Sequence, residues 1–143
     1  MDICINYHPP STLLPYKQIR EAYSRYEFNE DLHEGEGKTE RRFSNTRYAE
    51  VKIVIERVQN CYLTFGWDVN EKQIPSEYFD MVFSTVKAIC SDHPEKDNLK
   101  IKVVHGAYHE VDSSLFSFEI ATFKAIADLV GYDIPSEYIP LIR

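Results

Sequence analysis

Chemistry-bearing residue types come close together at four places in this chain. Gly37-Lys38-Thr39 has the ending of a phosphate-binding loop. The full pattern needs a glycine five positions before Gly37, and Leu32 stands there instead. Glu34, Glu36 and Glu40 flank the stretch and would repel phosphate, so no nucleotide is expected. His105 and His109 are four apart at the end of an expected strand, where four extended residues span about 13 Å, too far for one metal ion. Cys90-x-x-His93 has no second ligand pair. Ser113-Ser114 precedes a helical apolar run and reads as capping rather than as a nucleophile. No Gly-x-Ser-x-Gly and no cysteine with a defined base is present. The expectation is a chain without metal or cofactor that is not an enzyme.

The remaining signal is electrostatic. A net charge of −7 at pH 7 argues against broad adhesion to nucleic acid or to an anionic membrane, and no membrane partner is expected. The charges are unevenly spread. Glu27, Glu30, Asp31, Glu34, Glu36 and Glu40 crowd one stretch. Arg41, Arg42, Arg47, Lys52 and Arg57 follow, giving a small basic island on an acidic body. Cys4, Cys61 and Cys90 are odd in number and widely spaced, as expected of free thiols in a reducing compartment. With no basic, apolar leader in the sequence, a soluble cytoplasmic protein is expected.

These residues need elements to position them. The length of 143 residues suits one domain. Prolines 9, 10 and 15 make the lead-in extended, residues 16–26 are ambiguous between helix and strand, and residues 29–37 read as an acidic loop. A strand is expected over 38–43, then a turn at Ser44-Asn45-Thr46. From Arg47 to Arg57 apolar and polar residues alternate with the period of a half-buried antiparallel strand. A turn at Gln59-Asn60 and a third strand over 61–69 would complete a three-stranded meander. Pro75 opens a helix whose stripe is Tyr78, Met81, Val82, Thr85, Val86 and Ile89. A fourth strand runs over 99–105. A second helix follows Asp112-Ser113-Ser114, with Phe116, Ile120, Phe123, Ile126 and Val130 available for the core and Gly131 as its stop. The order is βββ-α-β-α, an α+β class with helices on one face of a mostly antiparallel sheet. Ile134-Pro135-Ser136-Glu137-Tyr138 repeats Ile74-Pro75-Ser76-Glu77-Tyr78, and both read as helix starts. The expected division is an extension with acidic loop over 1–37, a domain over 38–131 and a tail over 132–143.

The most specific stretch is His105-Gly106-Ala107-Tyr108-His109-Glu110-Val111-Asp112-Ser113-Ser114. It resembles Gly-Ser-Tyr-His-Glu-Val-Asp-Ser-Ser of elongation factor G, which joins the last strand of domain IV to its final helix. Phe118, Ile120, Ala121 and residues 123–125 are similar to that helix. Ile74-Pro75-Ser76-Glu77-Tyr78 resembles the Ile-Pro-Lys-Glu-Tyr that opens the family's first domain IV helix. Arg47-Tyr48-Ala49-Glu50-Val51 falls where the family has Gly-Gln-Tyr-Gly/Ala-x-Val, and Tyr16-Lys17-Gln18-Ile19-Arg20 resembles its Tyr-x-Glu-Thr-Ile.

The resemblance covers about residues 16–130. It implies a two-layer βββ-α-β-α sandwich with a left-handed β-α-β crossover, a departure from the usual hand. It also implies a tip, which in the family enters the decoding region of the ribosome and contacts tRNA and mRNA. The tip would be built from Ser44, Asn45, Thr46 and Arg47 in one loop and Ala107, Tyr108 and His109 in the other. His109 matches the family's tip histidine, and Arg41 and Arg42 would assist. The family's glycine-rich Gly-Gly-Arg-Gly-Gln loop is here Phe43-Ser44-Asn45-Thr46-Arg47, shorter by one residue and with arginine in place of glutamine. The sequence holds no nucleotide-binding domain, so it is read as a stand-alone domain IV without the GTPase. Two functions follow as expectations. One is binding of ribosome or structured RNA through Asn45, Thr46, Arg47, Tyr108 and His109. The other is an inhibitor- or immunity-like module that meets a basic protein partner through Asp2, Glu27, Glu30, Asp31, Glu34 and Glu36.

Overall fold

The computed structural model describes residues 11–41, 46–59 and 62–143. Helix α1 (Tyr16–Arg25) settles the ambiguous segment: Tyr16, Ile19 and Tyr23, at helical spacing, are all buried. Strand β1 (Leu32–Arg41) follows, then β2 (Arg47–Arg57) and the short β3 (Thr64–Trp67). After a 3₁₀ turn at Ser76–Tyr78 comes α2 (Phe79–Cys90), then β4 (Leu99–Ala107), α3 (Leu115–Val130), a second 3₁₀ turn at Ser136–Tyr138 and α4 (Ile139–Ile142). The two Ile-Pro-Ser-Glu-Tyr segments thus do the same job, each turning once and feeding a helix.

Residues 32–37, expected as loop, are strand. Their acidic residues alternate with Gly35 and Gly37, which face the core, while Glu34 and Glu36 face away and meet Lys52 at 3.2 and 3.6 Å. Glycine is required because α3 crosses almost against the backbone. A Cβ on Gly35 would lie 2.2 Å from Ala125 O, and one on Gly37 would lie 1.9 Å from Ala121 O. Sequence periodicity hides such a strand, because glycine carries no apolar signature.

The meander is also corrected. The sheet order is β1-β2-β4-β3, so β4 lies between β2 and β3 and pairs antiparallel with the former and parallel with the latter. The physical reason is burial. Pairing β4 with β2 sets Ile53 opposite Val103 and Ile55 opposite Ile101, all four buried, whereas the residues of β3 are only half-buried. An edge is where a short, half-wet strand belongs. There Phe65 and Trp67 make edge-on contacts with Phe83 and Phe79 of α2, both with ring centroids 5.0 Å apart.

Helix α3 carries the centre of the core. Phe118, Ile120, Ala121, Phe123, Ala125 and Ile126 are fully buried, because the helix packs on β1 and β2 and also meets α2. Its ends follow the expected chemistry: Ser114 Oγ accepts from Ser117 N at 3.1 Å, and Gly131 takes the left-handed stop at φ 69°. Among the described residues no helix lies on the opposite face of the sheet. That face carries a lattice of ion pairs, Lys38 with its strand neighbour Glu40 and, across strands, Lys38 with Glu50, Lys52 with Glu34 and Glu36, and Lys102 with Glu56.

Candidate functional site

Three strand ends meet at one end of the sheet. Arg41 closes β1 opposite Arg47, which opens β2, and Ala107 closes β4 opposite Glu50. The two expected tip segments are therefore neighbours, and hydrogen bonds stitch them together. Tyr48 N donates to Asp112 O at 3.1 Å, and Ser113 Oγ donates to Tyr48 O at 2.7 Å. The same Ser113 Oγ accepts from His109 N at 2.8 Å, while Ser113 N donates to His109 O at 2.9 Å. Ser113, expected as part of a helix cap, instead locks the second loop onto the start of β2. Ser114 alone caps α3.

His109 stands exposed at the crest of this turn. Its Nδ1 lies 3.3 Å from both Val111 N and Asp112 Oδ2. The neutral ring accepts from the former, and the protonated ring pairs with the latter. Both contacts use Nδ1, and Nε2 has no partner among the described residues. Thr46 is likewise exposed. Tyr108 is half-buried against the core and borders a shallow groove with Tyr78, Pro75, Lys72, Glu71, Glu77 and Glu110. Asn45 and Arg42 lie outside the described residues.

Arg47 is placed differently from a free tip cation. Its Nη1 donates to the Leu141 carbonyl of α4, and its guanidinium sits 5.4 Å over the Phe116 ring. Burial first, and the Arg41 guanidinium second, push its pKa down from the ordinary value. Phe116, Lys124 and Leu141 are the surroundings that the sequence reading did not assign to this end. No periodicity links Leu141 to Arg47, since 94 residues separate them.

Gly37, Lys38 and Thr39 lie mid-strand in β1, with Gly37 against α3 and Thr39 buried. The Lys38 ammonium is held by Glu40 and Glu50 at 3.1 and 3.5 Å, and these partners raise its pKa. His93 is buried, its Nε2 lying 2.7 Å from the Tyr26 carbonyl, which makes it a core histidine. Among the described residues no cluster of three or more His, Cys, Asp or Glu is arranged to hold a metal ion, and no helix is long and apolar enough to cross a membrane.

Comparison with known proteins agrees with this architecture. Residues 27–130 match the family model described as elongation factor G, domain IV. The elongation factor G of Neorickettsia sennetsu is 30% identical over 105 residues, covering 68% of this chain and 15% of that protein. A crystal structure of a Thermus thermophilus protein is 27% identical and superposes with a TM-score of 0.58, covering 71% of this chain and 16% of its own. The chain therefore spans about one sixth of the length of these relatives. On the match over residues 27–130, and on the fold that carries it, this chain belongs to the elongation factor G domain IV family.

Proposed function

We propose that this translation-factor-derived domain is a non-catalytic binding module for the ribosome or structured RNA, acting in the cytoplasm through the paired loops at the β1–β2 and β4–α3 end. The observation that carries the reading is the stitching of the two loops through Ser113 and Tyr48, which holds the His109 turn beside the mouth of the β1–β2 hairpin. An exposed imidazole whose Nε2 has no partner among the described residues, on a turn tied to the start of β2, can meet phosphates by charge and bases by stacking.

The acidic alternative has less to draw on. Glu34 and Glu36 are already matched by Lys52 on the bare sheet face, so part of the acid excess is neutralised within the fold.

The test is co-sedimentation of the purified protein with ribosomes across a salt series, comparing wild type with His109→Ala. Wild type is expected to bind at low salt and to weaken as salt rises. His109→Ala is expected to lose about tenfold in affinity, the scale of one lost base-stacking contact. Absence of wild-type binding at low salt, to ribosomes and to a structured RNA alike, rejects the reading.

A further inference from the structure

The two edges of the sheet are finished differently. On the outer side of β1, α3 supplies polar caps: Glu36 N donates to Asp128 Oδ2 at 3.0 Å, and Lys124 Nζ donates to the Lys38 carbonyl. Backbone groups held in this way are withheld from any further strand. At β3 the outer groups are left open. Asp68 N donates to Val103 O at 2.8 Å, so by the alternation of the ladder Phe65 and Trp67 turn their N–H and C=O groups away from β4. Among the described residues no hydrogen bond reaches those groups.

The side chains along this edge sort by face. Leu63, Phe65, Trp67 and Val69 share one parity, and each is only half-buried against the core. Thr64, Gly66 and Asp68 take the other face. A Cβ on Gly66 would lie 2.9 Å from Lys102 Cγ and 3.6 Å from Lys100 Cε, so two lysine stems of β4 lean over the glycine. Lys102 pairs with Glu56, whereas Lys100 and Asp68 have no ion pair among the described residues.

We infer that the β3 edge docks a second copy of this chain, antiparallel and about a two-fold axis at Gly66. In that register Phe65 of one copy stands opposite Trp67 of the other, and the two residues exchange backbone hydrogen bonds. Leu63 then faces Val69, which completes an apolar row across both copies. On the open face Asp68 of each copy comes beside Thr64 of the other, whose ladder neighbour is Lys100. The edge is thus complementary to itself in hydrogen bonds, apolar surface and charge, as a two-fold interface requires. The net charge of −7 opposes association, and the match of Asp68 with Lys100 offsets it locally. Strand β3 pairs with the opening residues of β4, away from Ala107, so this surface is separate from the paired loops and does not rest on their reading.

The experiment is sedimentation equilibrium of the full chain up to about 1 mM, with hydrogen exchange read at the amides of Phe65 and Trp67 over the same range. The mass is expected to rise toward twice the monomer value, with both amides protected as it rises. Asp68→Lys and Lys100→Asp are each expected to weaken association about tenfold, and the double variant to restore it. Asp68→Lys also lowers the net negative charge, so a loss in that variant reports the local pair rather than overall repulsion. If a single variant fails to fold by circular dichroism, the wild-type exchange result decides alone. A monomer mass throughout, or a rising mass with unchanged exchange at Phe65 and Trp67, overturns the inference.

Discussion

Tyr23 of α1 and Cys90 of α2 meet in the core, and both side chains are buried. The Tyr23 hydroxyl makes no well-formed hydrogen bond to nitrogen or oxygen among the described residues, and its polar neighbour is the Cys90 thiol. Burial pushes both acids up from their ordinary values of 10.0 and 9.0. In alkali the unfolded chain loses these protons while the native state keeps them, so the native state binds more protons and stability falls as pH rises. Urea unfolding is expected to show a level profile below about pH 9 and a decline above it, approaching about 1.4 kcal/mol per pH unit for each group that titrates only when unfolded. Cys90→Ala should lower the plateau and flatten the first part of that decline. A wild-type profile still level at about pH 10.5 would show that the pair is reached by solvent. At this scale the sequence was legible for residue type and less so for orientation. His109 stands exposed at the crest of its turn, whereas Arg47, equally plain in the sequence, is drawn to a carbonyl 94 residues away.

The elements differ from their sequence pattern where backbone meets backbone. Strand β1 is invisible to an apolar-alternation reading because its core-facing positions are Gly35, Gly37 and Thr39. What makes it a strand is the ladder with β2 and the close passage of α3, whose Ala121 and Ala125 present little side chain. Gly37→Ala is expected to cost about 2–3 kcal/mol, because the added methyl meets backbone that cannot move without shifting α3. Gly131→Ala provides the contrast: nothing lies within 4 Å of its Cβ position, so only the left-handed φ of 69° is penalised, at about 1 kcal/mol. Comparing the two by chemical denaturation separates the steric cause from the conformational one, and equal losses would refute the close-packing account. The strand order belongs to this scale too. Alternation in 47–57 and 99–105 marks half-buried strands but carries no record of their neighbour, which the pairing of Ile53 and Ile55 with Val103 and Ile101 decides.

The family match begins at residue 27, yet the molecule does not begin its core there. Helix α1 inserts Ile19 and Tyr23 fully, and the Tyr16 hydroxyl donates to the buried Glu119 of α3 at 2.6 Å. It is expected to belong to the same cooperative unit as the matched region. Ile19→Ala should destabilise the whole protein by about 2–5 kcal/mol. Far-UV circular dichroism and the fluorescence of Trp67, which lies on β3, should report one coincident transition. A loss of helix signal that leaves Trp67 unchanged would mark α1 as a separate appendage. The sequence by itself determined the α+β class, the second and fourth strands, both long helices with the cap and stop of α3, and the family. Each of those rests on local periodicity, capping chemistry or a run of specific residues, all of which a linear chain records. Only the tertiary structure decided the glycine strand β1, the insertion of β4 between β2 and β3, and the contact of half-buried Arg47 with Phe116 and the Leu141 carbonyl. These depend on which distant surfaces fit against one another, and packing across dozens of residues leaves no periodic trace in the residues it joins.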